Sequence, residues 1–312
     1  MGKATREAYG ETLRDLGGQL ADLVVLDADL SKSTKTNLFA QAYPDRFFDV
    51  GIAEQNLMGT AAGLAAAGKI PFVSTFAMFA AGRAYEQIRN SICYPRLNVK
   101  IAATHAGLTV GEDGASHQAI EDISLMRGIP NMTVIVPADA TETRRAIEFA
   151  ARYKGPVYVR LGRSAVSDLF GDDYEFQLGK AVTVAEGADV TLIACGIMTA
   201  AAKQAAAELM AAGCRARVLN MPTIKPIDRE AVIAAATATG AIVTCEEHSI
   251  IGGLGSAVAE VLVENAPVPQ ERVGVRDTFG ESGTPNALLA KYHLLAADIE
   301  KARKSLERAY AL

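Results

Sequence analysis

Apolar positions along this chain fall into short β-branched runs that alternate with longer helix-like stretches. In residues 1 to about 165, this spacing predicts strands at LADLVVLDAD, IPFVST, NVKIAAT, MTVIVPA and VYVRLG. Helices are predicted from about Glu54, Gly82 and Thr141. Short apolar runs separated by helices are typical of a parallel sheet that is covered on both faces. This part of the chain is therefore predicted to form a doubly wound α/β domain.

A second doubly wound α/β unit is predicted further along, with strands at VTLIAC, ARVLNM, AIVTC and RVGVR. Between the units, the stretch SDLFGDDYEFQLGKAVTVAEG mixes acids, aromatics and glycines without a helical period, which is typical of a domain connection. The predicted boundaries are residues 1–170 for the first domain, 171–187 for the linker and 188–312 for the second domain. Both sheets are predicted to be mainly parallel.

Composition limits the location and the partners. Half of the 312 residues are apolar, but no run reaches the roughly 18 apolar residues of a membrane span. The N-terminal MGKATREAYGETL lacks the apolar stretch of a secretory signal, so a cytoplasmic location away from membranes is predicted. The four cysteines form no CxxC pair, which indicates reduced core residues. A net charge of −5 without a long basic run argues against nucleic acid as a partner.

Polar and aromatic residues follow several predicted strands. Ligands of open α/β sheets bind beyond the carboxyl ends of the strands. The residues near those ends are Asp27, Asp29, Glu54, Thr75, Phe76, His105 and Asp139. Groups at equivalent ends of separate strands can converge on one crevice, so a binding site is predicted there.

Glu54 begins the predicted helix in VGIAEQNLMGTAAGLAAAG, whose small apolar residues indicate a buried helix. An acid at a helix N-terminus is favoured by the helix dipole by roughly 0.3–1 kcal/mol, and this alone could explain the residue. Its neighbours are largely apolar, however, so the carboxylate is expected to be desolvated and to need a specific partner. A bound ring nitrogen would be such a partner.

The stretch Thr104 to Gln118, THAGLTVGEDGASHQ, holds two of the four histidines, two acids and three glycines, which indicates a functional loop. His105 and His117 are 12 residues apart, a spacing that fits no helical metal-binding pattern, and no metal site is predicted in this chain. For three other candidates, the pattern alone leaves a structural and a functional role open: Phe76, Phe79 and Arg163.

In order along the chain, the segments ATR, DADLSKST, VGIAEQ, STF, THAGLTVGEDGASHQ, IPNMTVIVPAD and VRLGR resemble the transketolase family. Residues 1 to about 165 are similar to its pyrimidine-binding domain. Residues from about 185 onward, including CEEHSIIGGLGSAVAE, are similar to its C-terminal domain. Nothing corresponds to the family's N-terminal half, whose GDG-type motif binds diphosphate through a divalent cation. The chain therefore resembles the separately encoded C-terminal subunit of a split transketolase.

The resemblance implies thiamine diphosphate as cofactor. Glu54 matches the glutamate that contacts N1′ of the aminopyrimidine and promotes loss of the thiazolium C2 proton, which makes it the principal catalytic residue. His117 matches a catalytic histidine near the cofactor amine and the substrate. Phe76 and Phe79 match aromatics around the pyrimidine, and Asp29 matches a cofactor-proximal acid.

The resemblance also implies a sugar phosphate substrate. Arg6, Ser33, His105 and Arg163 match the family's phosphate-binding set, and two guanidiniums, a hydroxyl and an imidazole suit that anion. Asp113 matches an acid that recognises a substrate hydroxyl by hydrogen bonding.

Three positions depart from the family pattern. Gly82 replaces a third pocket aromatic, Ala106 and Gly107 replace a common Asp-Ser pair, and SHQ at His117 replaces the usual THQ. Pocket shape and sugar preference therefore stay open.

The implied reaction transfers a two-carbon ketol unit from a ketose to an aldose. The implied partners are a second copy of this chain and an N-terminal subunit that binds Mg²⁺ (or Ca²⁺), with activity only in a heterotetramer. A deoxyxylulose-phosphate synthase fragment and a 2-oxo acid dehydrogenase β subunit would also fit Glu54, but the paired histidines favour transketolase. A non-catalytic binding or regulatory homologue is the alternative of another class, against which Glu54 and both histidines argue.

Overall fold

The computed structural model describes residues 2–310, with side chains for residues 2–306. The first part of the chain forms α1 (Thr5–Gly17), β1 (Leu23–Asp27), α2 (Ser31–Thr34), α3 (Asn37–Ala42), β2 (Phe47–Asp49), α4 (Glu54–Ala66), β3 (Ile70–Ser74), α5 (Tyr85–Gln87), β4 (Lys100–Ala103), α6 (Asp122–Arg127), β5 (Thr133–Ile135), α7 (Ala140–Arg152) and β6 (Val157–Arg160). Two π-helical turns, Phe79–Arg83 and Ile88–Cys93, flank α5.

The second part of the chain continues the alternation of strands and helices. It forms β7 (Val182–Ala185), β8 (Val190–Ala194), α8 (Met198–Ala211), β9 (Ala216–Asn220), β10 (Thr223–Lys225), α9 (Arg229–Thr239), β11 (Ile242–Ser249), α10 (Leu254–Asn265), β12 (Gln270–Val275), α11 (Pro285–Lys291) and α12 (Ala296–Tyr310).

These strands make two sheets. The first has seven strands in the order β10-β5-β6-β4-β3-β1-β2, and the second has five in the order β12-β11-β8-β9-β7. Only two of the described strand pairs are antiparallel, β10 with β5 and β7 with β9. The predicted α/β fold with two mainly parallel sheets is confirmed. Strand β10 comes from the second part of the sequence, so the sheet that carries the candidate site is completed by the C-terminal region.

Strand β1 shows why the apolar runs are continuous. Leu23 and Val25 belong to a buried cluster with residues of α1 and α7, whereas Val24 and Leu26 belong to a cluster with residues of α4. Alternate side chains thus enter two different cores, and both faces of the sheet exclude water. Burial on both faces fixes the register of the central strands and hence the place where their carboxyl ends meet.

Two predicted helices differ in the structure. The helix expected from about Gly82 begins earlier, in a π turn in which the N–H of Ala84 donates to the carbonyl of Phe79, five residues back. Helix α4 was expected to be buried, but it is buried on one face only. Gly59 and Gly63 lie on the exposed face, where an added Cβ atom would meet nothing within 4 Å. Small residues do not distinguish a buried helix face from an exposed one, so the pattern was ambiguous there.

The remaining composition-based expectations concern cysteines and membranes. All four cysteines are buried, as expected for core residues. Among the described helices, none combines the length and the hydropathy needed to cross a membrane.

Candidate active site

The site lies where the neighbouring strands β4, β3 and β1 end. Beyond β3 and β4 the chains continue side by side, because the N–H of Thr104 donates to the carbonyl of Thr75 (3.1 Å) and the N–H of Ala77 donates to the carbonyl of Thr104 (2.7 Å). This extended pairing brings Phe76 next to His105. The predicted convergence of strand-end residues is therefore seen for these two side chains.

Two phenylalanines and two histidines form one aromatic cluster. The Phe76 and His105 rings are stacked with centroids 3.9 Å apart, and those of Phe76 and Phe79 are stacked at 6.1 Å. His117 approaches Phe79 edge-on at 5.3 Å. Three segments distant in sequence thus contribute flat rings to one place.

His105 is neutral and held in one tautomer. Burial, together with the positive charges of Arg6 and Arg163, lowers its pKa to about 3. The Nη1 of Arg6 lies 3.2 Å from its Nε2, and because a guanidinium can only donate, Nε2 is the acceptor. Nδ1 then carries the proton and donates to the hydroxyl of Thr104 at 2.9 Å. His105 offers hydrogen bonding at this site and no charge.

Arg6 joins three of the predicted substrate residues. Besides contacting His105, its Nη1 donates to the backbone carbonyl of Ser33 at 2.9 Å. Burial lowers the pKa of Arg6, and the charge of Arg163 contributes in the same direction, so the two guanidiniums are close enough to interact. Arg163 pairs with Glu112 of the 104–118 loop at 3.0 Å. Arg6 is thus connected to the other three residues predicted to bind phosphate, by hydrogen bonds to His105 and the Ser33 backbone and by charge to Arg163.

Glu54 is the first residue of α4, and its side chain is 2% exposed. Its Oε2 accepts a hydrogen bond from Nη1 of Arg83 at 2.8 Å. The guanidinium of Arg83 also lies over the Phe79 ring, 4.6 Å from its centroid. Arg83 thus connects the buried carboxylate to the aromatic cluster, and the predicted specific partner of Glu54 is, in this chain, an arginine.

Asp27 organises the loop that carries Asp29 and Ser33. Its carboxylate accepts hydrogen bonds from the N–H of Leu30 (2.7 Å) and from the hydroxyl of Thr34 (2.7 Å). Burial raises the pKa of Asp27 to about 6, and these hydrogen bonds oppose the rise. A buried, fully bonded carboxylate of this kind fixes a loop and does not face a ligand.

Two predicted site residues stay outside the cluster. Asp29 and Asp113 are exposed. Among the side chains that the structure describes, no hydrogen bond, ion pair or ring contact joins either one to the aromatic cluster. The backbone N–H of Asp29 donates to Asp49 at 3.0 Å, which leaves its own carboxylate facing solvent.

Asp139 follows a strand as predicted but does not belong to the site. Its Oδ1 caps α7 by accepting from the N–H of Glu142 at 2.8 Å. Its Oδ2 accepts from the N–H groups of Leu169 (2.8 Å) and Phe170 (2.9 Å). The expectation that Asp139 converges with the other strand-end groups is wrong, because strand β5 is separated from β4 by β6.

No group of three or more His, Cys, Asp or Glu side chains within the described part of the chain could hold a metal ion. The site combines the Glu54 carboxylate with two phenylalanines, two histidines and three arginines. Arg83 pairs with Glu54 and Arg163 pairs with Glu112, whereas Arg6 contacts a histidine and a backbone carbonyl.

The family model for the transketolase pyrimidine-binding domain matches residues 1–168. The chain belongs to the transketolase family. A second model, for the transketolase C-terminal domain, matches residues 179–299.

Three similar proteins place the chain more closely within this family. A putative transketolase C-terminal section from Methanocaldococcus jannaschii is 51% identical over 96% of this chain and 95% of its own length. A 6-deoxy-6-sulfo-D-fructose transketolase subunit, SqwH, from Clostridium sp. strain MSTE9 is 47% identical over 95% of this chain and 92% of its own length. A solved split gene transketolase, described as an inactive beta4 tetramer, is 61% identical, with a TM-score of 0.92 over 100% of this chain and 99% of its own.

Sequence reasoning within the transketolase family missed Arg83. The residue directly follows Gly82, the position where a third pocket aromatic is absent, and this proximity was the available signal. Its pairing with Glu54 joins residues 29 positions apart and depends on the π turn, which no local pattern encodes.

Proposed function

We propose that this chain is the C-terminal subunit of a thiamine diphosphate-dependent transketolase that moves a two-carbon ketol unit between a ketose and an aldose, or their phosphates. The observation that carries the proposal is the buried carboxylate of Glu54 at the N-terminus of α4, linked through Arg83 to the ring cluster of Phe76, Phe79 and His117. A buried acid beside flat rings suits a heteroaromatic ring that must exchange a proton.

The residues fit an aminopyrimidine. Phe76 and Phe79 offer flat apolar surfaces for a ring. The hydroxyl of Thr75, directly before Phe76, is buried and finds no hydrogen-bond partner among the described residues, so a polar ligand atom nearby would satisfy it. Thiamine diphosphate, when bound, supplies the electron sink that stabilises a carbanion.

Glu54 has the proton-transfer role in this proposal. Its carboxylate would exchange a proton with the ring nitrogen N1′, and burial would strengthen that interaction because water is excluded. In this chain Oε2 accepts a hydrogen bond from Arg83, and because a carboxylate has two accepting oxygens, ring binding does not require this pair to break. His117, which approaches Phe79 edge-on, is assigned to proton transfer with the substrate.

The substrate's anionic group is assigned to Arg6, Ser33, His105 and Arg163. The two guanidiniums supply charge, and the Ser33 hydroxyl is assigned a hydrogen bond to the anion. The Nε2 of His105 accepts from Arg6 and its Nδ1 bonds Thr104, so His105 is assigned to hold the Arg6 guanidinium in place. Asp29 and Asp113, the two exposed acids, are assigned to the cofactor side and to a sugar hydroxyl, respectively. Both assignments rest on the family resemblance.

The partner in this proposal is an N-terminal transketolase subunit that carries the diphosphate and Mg²⁺ (or Ca²⁺). Octahedral Mg²⁺ bridging phosphates needs carboxylate or carbonyl ligands, and the described part of this chain holds no such cluster. The relative that is 61% identical, whose beta chains alone form an inactive tetramer, supports dependence on a second subunit.

The test is hydrogen–deuterium exchange at C2 of thiamine diphosphate in the complex of this chain with its N-terminal partner. Glu54→Gln keeps the side-chain size but cannot accept the proton, so exchange is expected to slow by about two orders of magnitude or more. Glu86→Gln, an exposed acid on α5, is the control and should leave exchange unchanged. An unchanged rate in Glu54→Gln would remove Glu54 from this role.

The reaction products distinguish ketol transfer from the reactions of other thiamine diphosphate enzymes. With a ketose phosphate donor and an aldose phosphate acceptor, mass spectrometry should detect a ketose phosphate that is two carbons longer than the acceptor. Formation of a deoxyxylulose phosphate from pyruvate, or acyl transfer from a 2-oxo acid, would assign the chain to a different thiamine enzyme.

A further inference from the structure

The 104–118 loop, which carries His105, Asp113 and His117, rests on the C-terminal domain. Near the end of β11, the Oε1 of Glu247 accepts a hydrogen bond from the backbone N–H of Thr109 at 2.6 Å. The Glu247 side chain is buried. Glu247 comes 138 positions after Thr109 in the sequence.

The same carboxylate packs directly against Gly107. A Cβ atom added at Gly107 would lie 2.6 Å from Oε2 of Glu247, closer than real Cβ contacts. Gly107 also has a φ of 82°, in the left-handed region that favours glycine. Gly107, where the family commonly has a larger residue, thus provides the space that Glu247 fills.

Glu247 is itself fixed by a buried arginine. The Nη2 of Arg160 donates to the carbonyl of Glu247 (3.0 Å) and to that of Ala119 (3.1 Å), just after the loop. The Nε of Arg160 pairs with Asp122 at 2.9 Å inside the core. Because this pair is buried and fully bonded, it cannot follow a moving loop.

Two further contacts join the loop's end to the C-terminal domain. The Nε2 of Gln118 donates to the carbonyl of Glu281 at 2.9 Å. The N–H of Ser249, two residues beyond Glu247, donates to the carbonyl of Ile120 at 2.7 Å. At the start of the loop the same domain adds apolar packing, because Leu108 lies in the buried cluster that includes Leu288, and Glu247 adds the hydrogen bond to Thr109.

We propose that Glu247 is a positioning residue: its carboxylate fixes Gly107 and Thr109 and thereby sets where the 104–118 loop holds His105 and His117. The C-terminal domain then acts on the reaction through loop placement. What the histidines do rests on the proposed function, but loop placement can be measured without it.

The test is amide hydrogen exchange on the purified chain, read at residues 104–118. In Glu247→Ala the N–H of Thr109 loses a charge-assisted acceptor, so exchange there should speed up by about ten- to a hundredfold. Glu247→Gln, whose amide oxygen can still accept, should restore most of the protection. Glu260→Ala is the matched control, because its ion pair with Arg127 also joins the two domains but does not touch the loop.

Glu247→Asp keeps the charge and shortens the side chain, so it serves if the alanine variant does not fold. It should speed up exchange at Thr109 more than elsewhere. Unchanged exchange in the loop, or acceleration spread evenly over the first domain, would overturn the proposal.

Within the complex with the partner subunit, Glu247→Asp should lower kcat/KM for the sugar by about tenfold or more while C2 exchange of the cofactor stays at the wild-type rate, because Glu54 lies on α4 outside the loop. Absence of C2 exchange in the wild-type complex would contradict the proposed function, whereas an unaltered kcat/KM would contradict the role of Glu247.

Discussion

Two residues assigned to the site adopt left-handed backbone conformations at the ends of central strands. Asp29 follows β1 with a φ of 59°, and His105 follows β4 with a φ of 56°. Such conformations cost roughly 1–3 kcal/mol for residues other than glycine and persist only where the surroundings hold them. Here the surroundings are the Asp49 carboxylate and the Arg6 guanidinium, respectively.

At the residue scale, the Glu54–Arg83 pair should be measurable in the isolated chain. A double-mutant cycle with Glu54→Gln and Arg83→Gln, followed by urea unfolding at pH 7, is expected to give a coupling free energy of about 1 kcal/mol. One partner is buried, but the Arg83 side chain is 49% exposed, which weakens the pair through solvent screening. The control cycle combines Glu54→Gln with Arg89→Gln, because Arg89 is an exposed arginine. Coupling no larger than in the control would mean that the pair does not form in solution.

Arg163 allows a test of phosphate recognition. Arg163→Ala removes one charge-assisted contact, so KM for a phosphorylated sugar should rise by about ten- to a hundredfold, with a much smaller change for the unphosphorylated sugar. Steady-state kinetics of the complex with both substrates checks this. An equal rise for both would assign Arg163 to holding the 104–118 loop through Glu112.

Some residues of the site could be predicted from the sequence, and others could not. His105 and Phe76 were predicted because each directly follows an apolar strand, and parallel strand ends share one edge. Arg83 and Glu247 contact the site only through tertiary placement, the first by a π turn and the second from another domain. Periodicity carries no information about either contact.

At the scale of elements, the strands that were missed lie at sheet edges, although one edge strand, β12, was predicted from RVGVR. β1, β3, β4 and β6 are buried runs of four or five residues and were predicted. β7 and β10 were not, because each lies at a sheet edge, pairs on one side only and has a weaker apolar pattern. Edge strands owe their conformation to the neighbour they pair with, which a local pattern does not include.

Helix α7 depends on its N-cap. Asp139→Ala removes the acceptor for three backbone N–H groups, those of Glu142, Leu169 and Phe170. Loss of a cap costs about 0.5–2 kcal/mol, and the unpaired N–H groups of Leu169 and Phe170 add to this, so we expect a loss of about 3 kcal/mol in the free energy of unfolding. Urea denaturation measures it. Asp172→Ala, an exposed acid that pairs with Arg144, should change stability by less than about 0.5 kcal/mol.

Glu142, in the first turn of α7, should make stability depend on pH. Burial raises its pKa from 4.5 to about 7, and hydrogen bonds from Tyr174, Ala138 and Asn220 oppose the rise. Between these values the folded chain binds more protons than the unfolded chain, so stability falls as pH rises.

The difference in the free energy of unfolding between wild type and Glu142→Gln should therefore fall by about 3 kcal/mol between pH 4.5 and pH 8, to the disadvantage of wild type. Unfolding curves at several pH values check this, with Glu148→Gln on the same helix as the control. A difference that stays constant with pH would show that Glu142 keeps its ordinary pKa in the folded chain.

At the scale of the whole molecule, the two domains are joined by buried polar groups as well as by apolar packing. Arg160 of the first domain bonds the backbone of β11, and Asn220 of the second bonds Glu142 at 2.8 Å. Strand β10 extends the first sheet from the second part of the chain. These contacts make the C-terminal domain part of the scaffold that holds the site.

The exposed face of α4 is the basis for a prediction about assembly. Gly59 and Gly63 lie one turn apart on that face, and an added Cβ atom at either would meet nothing within 4 Å. If the chain is a monomer, Gly→Ala at such exposed helix positions should raise its free energy of unfolding by about 0.4–1 kcal/mol. If a second copy packs closely on this face, the added methyl groups instead weaken self-association. Light scattering on the purified chain is expected to give a mass of at least twice 32.9 kDa.

The variant with both Gly59→Ala and Gly63→Ala should dissociate at a concentration about tenfold higher than wild type, although its monomer is more stable. Ala207→Gly, an exposed alanine on α8 of the second domain, is the control and should leave association unchanged. Adding the N-terminal partner should then double the number of chains to two of each, since each copy of the site faces one partner. A monomeric wild-type chain at micromolar concentration, or a fully active complex of one chain with one partner, would overturn this arrangement.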